Sequence, residues 1–217
     1  MMTNVLIIGA TGGMGTFTTQ NLLKETDYKI TVFVRTPTKL PADISENGRV
    51  TVVQGDATKL VDLKSAMDNQ DIVYANLGPW LKTEMANSII EAMRQKELHR
   101  LIWIGCLGVD DEVPGKFGEW NKDTLVPDGY LATETGAVRL IEASDLNYTI
   151  IRPSWLSDED EVDYEITRQG ELLTGTEVSR KSVADFVTKL IQDPNQYEKE
   201  SIGLNKPGTD GDKPSWY

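Results

Sequence analysis

Six short apolar runs alternate along the chain with segments of helical periodicity, and this alternation restricts the fold more than any other feature. The runs are "NVLIIG" from Asn4, "KITVFVR" from Lys29, "RVTVVQGD" from Arg49, "DIVYANLG" from Asp71, "RLIWIGCLG" from Arg100 and "YTIIRP" from Tyr148. Each reads as a strand buried on both faces, because apolar residues run on without the polar alternation of a half-exposed strand. Between them lie "GTFTTQNLLKET", "ATKLVDLKSAMDN", "LKTEMANSIIEAMRQKE" and "YLATETGAVRLIEAS", whose apolar residues recur at helical spacing with polar residues opposite. A repeated βαβ order predicts an α/β, Rossmann-like, doubly wound and mostly parallel sheet with helices on both faces. In such a sheet ligands bind beyond the carboxyl ends of the strands, where the strand order reverses.

The chain has 217 residues, which suits one domain spanning 1–217 with a sizeable core. Past "IIRP" the pattern changes. Residues 154–178 carry an acidic run and turn signals and are read as a small substrate-side insertion toward the C-terminus. A helix follows, "KSVADFVTKLIQD", with Ser179 as its N-cap. The tail "NKPGTDGDKPSWY" is expected to form a surface extension.

A net charge of -12 argues against nucleic acid or an anionic membrane surface as partner, since both need a clustered basic face. A small-molecule substrate is the expected partner, and the oligomeric state is left open. No apolar stretch reads as a signal peptide or a bilayer span, so a cytoplasmic location is expected. One cysteine, Cys106, and one histidine, His99, make a metal site improbable. The run "SDEDEVD" reads as a solvated loop, and His99 as exposed.

Behind the first strand stands "GATGGMG", comprising Gly9, Ala10, Thr11, Gly12, Gly13, Met14 and Gly15. A strand that turns tightly into a helix aims backbone N–H groups and the positive end of the helix dipole at a phosphate. Glycines permit that turn, the close approach of the ligand, and tight helix packing. This stretch is therefore assigned to the pyrophosphate of a dinucleotide. About 20 residues further on, where an acidic residue would accept from ribose hydroxyls, stands Arg35, followed by Thr36 and Lys39. A guanidinium pairs with a 2′-phosphate, so NADP (NADPH) is expected in preference to NAD. Asp56 and Ala57 after the third strand are assigned to the adenine. Ala75, Asn76, Leu77 and Gly78 after the fourth are assigned to the ribose and nicotinamide.

The motifs "GATGGMG", "VRTPTKL", "QGDAT", "LGV", "YLATETGAVRLIEASDLNYTIIRP" and "SRKSVADFV" cover nearly the whole chain. In them the chain resembles the atypical short-chain dehydrogenases/reductases, in particular single-domain NmrA-like and flavin- or biliverdin-reductase-like members. The resemblance implies NAD(P) binding, and it places Pro153 beside the nicotinamide. It aligns Tyr130 with the proton-donating tyrosine of the wider superfamily, which makes Tyr130 the candidate catalytic residue. Glu134, however, falls where that superfamily has a lysine, and Gly105–Cys106 replaces its hydroxyl pair. A carboxylate beside a phenol favours the neutral form, opposite to what the usual acid–base step needs.

The leading expectation is an NADP(H)-dependent oxidoreductase acting on a small aromatic, quinone- or flavin-like acceptor, for which the cofactor does most of the chemistry. Trp80, Cys106 and Trp155 are candidates for the substrate pocket, with Phe117, Trp120 and Tyr164 as further aromatic lining. The alternative is a non-catalytic NADP-binding redox sensor of the NmrA-like kind. A nucleotide-sugar epimerase or dehydratase ranks last, since it needs the tyrosine–lysine pair and a larger substrate domain.

Overall fold

The structure is a computed structural model and describes residues 3–217. The first half builds the expected alternation: β1 (Asn4–Ile8), α1 (Gly13–Glu25), β2 (Lys29–Val34), a 3₁₀ turn at Pro37–Lys39, a single-turn α2 (Ala42–Ser45), β3 (Val50–Gln54), α3 (Leu60–Ala66) and β4 (Ile72–Ala75). Then come α4 (Lys82–Gln95), β5 (Arg100–Ile104), α5 (Gly115–Leu125), α6 (Tyr130–Glu142) and β6 (Asn147–Pro153). The remainder forms β7 (Trp155–Ser157), β8 (Glu165–Arg168), β9 (Glu177–Ser179), α7 (Arg180–Gln192) and β10 (Glu200–Asn205).

Eight strands form one sheet in the order β3-β2-β1-β4-β5-β6-β10-β8, parallel throughout except for β8. Successive side chains point to opposite faces of a strand. On β1, Val5 and Ile7 join one apolar cluster with Leu22 of α1 and Val183 and Val187 of α7. Leu6 and Ile8 join the other, with Leu63 of α3, Ile89 of α4 and Val138 of α6. Burying each such side chain is worth about 1.5–3 kcal/mol, which is why an uninterrupted apolar run forms a two-sided strand.

The order reverses between β1 and β4, and the carboxyl ends of these two strands meet there. Asn76, just past β4, donates its backbone N–H to Ile8 O at 2.8 Å and its side-chain Nδ2 to Gly9 O at 3.3 Å.

Several elements differ from the sequence expectation. β3 is half exposed rather than buried on both faces, because it is an edge strand. The helix α5 and the strand β10 are additional elements. Within residues 154–178, β8 is the antiparallel edge of the main sheet, while β7 pairs with β9 in a small parallel sheet. The Ser179 cap is present, with its Oγ accepting from Ser182 N at 2.9 Å.

The acidic run is a solvated loop, as expected, and its carboxylates also meet cations of neighbouring segments. Asp158 pairs with Arg180 at 2.7 Å, Asp160 with Lys181, and Glu161 with Lys206 at 2.8 Å.

Candidate functional site

Gly9 takes φ +85°, and a Cβ there would stand 1.9 Å from Asn76 O. Only glycine fits both the turn and the approach of β4. Gly15 lies so close under the turn that a Cβ would meet Gly9 O at 2.7 Å and Ala10 Cα at 3.0 Å, which lets α1 start directly against β1. Gly12 caps α1 without a side chain. The first amides of the helix, those of Gly13, Met14 and Gly15, have no partner within it and carry the positive end of its dipole. Thr11, Gly12 and Gly13 are exposed around this end, whereas Ala10 and Met14 are buried beneath it.

Arg35 follows β2 directly and is exposed together with Thr36 and Lys39. Its backbone carbonyl accepts from Gln54 Nε2 at 3.1 Å, and among the described residues its guanidinium forms no ion pair. Asp56 is half buried, with Oδ1 accepting from Thr58 N at 3.0 Å and Thr58 Oγ1 at 2.8 Å. These bonds, with Lys59 and Arg35 nearby, hold its carboxyl below the ordinary range despite a smaller opposing effect of burial. Ala57 and Ala75 are buried; Asn76 is buried as the link to Gly9, Leu77 is half buried and Gly78 is exposed. Pro153 is buried at the end of β6, level with Leu204 of β10.

A second cluster lies beyond β5. Lys82 at the start of α4 is only 2% exposed, and its Nζ lies 2.8 Å from Ile104 O. Glu134 of α6 is fully buried, with Oε1 at 2.8 Å and Oε2 at 3.0 Å from the same Nζ. The chain enters α4 through Leu81 in the left-handed region, φ 62°, at a cost of about 1–2 kcal/mol for such a residue. Tyr130 is half buried beside this pair. Burial first, then the Glu134 carboxylate and the Cys106 thiol, push its phenol far above the usual 10.0. Cys106 is buried, its Sγ donating to Leu107 O at 3.1 Å, and burial followed by Glu134 raises the thiol well above 9.0.

The loop after β5 is pinned from below. Arg152 of β6 is fully buried and pairs with Glu112, whose carboxylate accepts from Gly108 N and Asp110 N at 3.0 Å each. Arg152 Nε also donates to Ser201 Oγ of β10 at 2.8 Å.

The sequence profile of the family described as NAD(P)H-binding matches residues 9–194. The chain belongs to this NAD(P)H-binding family. Among solved structures, a short-chain dehydrogenase/reductase from Veillonella parvula in complex with NADP is 32% identical, with a TM-score of 0.93 over 99% of this chain and 100% of that one. A Rossmann-fold NAD(P)-binding family protein from Shigella flexneri is 40% identical, with a TM-score of 0.84 over 99% and 98%. A search of curated proteins finds no match to the chain.

The glycine turn of this chain stands where β1 ends beside β4. The aromatic candidates divide. Trp120 and Trp155 meet with ring centroids 4.9 Å apart, Phe117 stacks on Trp120 at 6.3 Å, and Trp155 Nε1 donates to Asn121 Oδ1 at 3.0 Å. Leu107, at the end of β5, joins the same cluster. The tail runs over the surface as expected, and its Tyr217 lies 5.1 Å from Trp120 and 5.5 Å from Trp155.

Trp80 and Tyr164 do not join this group. Trp80 is 57% exposed on the surface, and Tyr164 packs on Phe186, its hydroxyl donating to Asp185 at 2.8 Å. His99 is exposed, and no group of three metal-binding side chains occurs among the described residues. No helix among them is long and apolar enough to cross a membrane.

Two site residues escaped the sequence. Lys82 lies 52 positions from Glu134, too far for any local spacing to connect them. Arg180 lies across the glycine turn, its Cδ 2.9 Å from where a Gly13 Cβ would be. A polar cleft of about 620 Å³ sits at the opposite, amino edge of the sheet, lined by Lys29, Arg49 and Asp68 among others. Arg49 is committed there to the carbonyls of Leu23 and Thr26.

Proposed function

We propose that the chain is an NADP(H)-dependent oxidoreductase acting on a small planar acceptor of quinone- or flavin-like chemistry. The observation that carries this reading is Arg35, an exposed guanidinium without an ion pair among the described residues, placed where the second strand leaves the sheet. The glycine turn fits the cofactor, because an uncapped helix start and missing side chains leave backbone amides open to a pyrophosphate. The amides of Gly13, Met14 and Gly15 would hold the pyrophosphate, and Arg35, Thr36 and Lys39 the 2′-phosphate. Asp56 and Ala57 would border the adenine, residues Ala75 to Gly78 the ribose and nicotinamide, and Pro153 the carboxamide. The Veillonella parvula relative in complex with NADP supports the assignment.

The bound dihydronicotinamide supplies a hydride, and the chain orients it. Tyr130 is held protonated by burial and by Glu134, so it is a poor source of a phenolate and a poor acid at neutral pH. An acceptor that takes its proton from water has no need of it. Trp120 and Trp155, beside the ends of β5 and β6, form with Phe117 and Tyr217 an aromatic wall against which a planar acceptor would pack.

A second reading, a redox sensor that binds the cofactor without turnover, is favoured by the closed Lys82–Glu134 pair, which leaves Tyr130 no free ammonium beside it. NADPH consumption measured against flavins, quinones and aldehydes separates the two. Turnover with a quinone or flavin supports the oxidoreductase, and binding without turnover on any acceptor supports the sensor.

A further inference from the structure

We propose that Arg180 clamps the cofactor pyrophosphate and that Asp158 is the internal anion it gives up on binding. The inference rests on the cofactor reading above and deepens it at the same site. Arg180 is the first residue of α7, whose N-cap Ser179 and packing against α1 fix where the side chain emerges. From there it runs over the start of α1, Cδ at 2.9 Å and Nε at 3.7 Å from the position of a Gly13 Cβ. A cation therefore lies against the helix end whose first amides are free, where positive dipole and positive charge repel unless an anion joins them.

In the free chain that anion is Asp158, 2.7 Å from Arg180 Nη1 and 87% exposed, with Leu156 O as a weaker partner at 3.4 Å. An exposed pair of this kind is weak, so a doubly charged pyrophosphate on the helix amides outcompetes it. The overall charge of -12 makes such local cations necessary for holding a polyanion. Arg35 stands at the 2′-phosphate end of the proposed site and Arg180 at the pyrophosphate, so the two predict different ligand dependence.

The test is fluorescence titration of the full chain with NADPH and with NADH, in the native protein and in Arg180→Met, Arg180→Lys, Asp158→Asn and the Arg180→Met/Asp158→Asn double variant. Arg180→Met should weaken both nucleotides about tenfold, by the same factor, with Arg180→Lys intermediate. Asp158→Asn should tighten both about threefold, and that gain should vanish in the double variant. Thermal melting of each free variant near the native value shows that the fold is kept.

Binding of NADPH by Arg180→Met within about twofold of native overturns the clamp. So does weaker binding by Asp158→Asn, or a gain that persists without Arg180. Failure of the native chain to bind either nucleotide would instead strike the cofactor reading itself.

Discussion

Lys82 and Glu134 carry a full ion pair into the dry interior, with Nζ 2.8 and 3.0 Å from the two carboxylate oxygens and neither side chain more than 2% exposed. Removing both charges from water is costly, and the pair holds because each partner offsets the other and Ile104 O takes a further N–H. Lys82→Met should therefore cost about 3–5 kcal/mol by leaving a buried carboxylate alone, whereas Lys82→Met/Glu134→Leu should recover most of that loss. Urea unfolding of the three proteins checks it. A single variant within about 1 kcal/mol of native would contradict the account of the pair.

Two groups of this cluster contribute to behaviour at high pH, alongside the buried phenol of Tyr74, which burial also raises. Burial and Glu134 raise both the Cys106 thiol and the Tyr130 phenol above their ordinary values of 9.0 and 10.0. Folded chains thus keep protons that unfolded chains have lost, and unfolding free energy falls as pH rises past about 9 and further past about 10. Below pH 9 neither group contributes a slope. Cys106→Ala should flatten the first part of the decline and Tyr130→Phe the second, as read by urea unfolding between pH 8 and pH 11. A native protein equally stable at both ends would count against the placement of these groups.

Two glycines at the reversal point should behave oppositely. Gly9→Ala forces a Cβ to 1.9 Å from the backbone oxygen of Asn76 at φ +85°, and should destabilise the chain by about 3 kcal/mol while abolishing nucleotide binding. A Cβ on Gly78 meets nothing within 4 Å, so Gly78→Ala should stay within about 0.5 kcal/mol of native. Thermal melting with and without NADPH distinguishes them. Tolerance of Gly9→Ala would contradict the close approach of β1 and β4.

The fold was legible in the sequence where burial is two-sided, as in "NVLIIG" and "YTIIRP", because such strands cannot hide their apolar runs. β10 was missed because "ESIGLN" sets Ser201, Gly203 and Asn205 among its apolar residues, and those positions serve Arg152 Nε, a tight approach to Thr167, and Glu165. The helix α5 was missed because glycines interrupt its pattern. For the site, the glycine turn and Arg35 could be found by local spacing, whereas Lys82 and Arg180 reach their partners only through helix packing. Position by position, Glu134 reads as a lost lysine; in three dimensions a lysine from another helix stands beside it. Trp80 is a pocket candidate only as an aromatic residue, and type alone does not say that it stays 57% exposed.

The assignment of NADP turns on Arg35, and titration of the native chain and of Arg35→Asp with NADPH and NADH tests it most directly. The native chain should bind NADPH about ten- to a hundredfold tighter than NADH, as one or two charge-assisted bonds to a phosphate provide. Arg35→Asp should erase that difference while leaving NADH binding nearly unchanged. Equal affinities of the native chain for the two nucleotides would contradict the assignment.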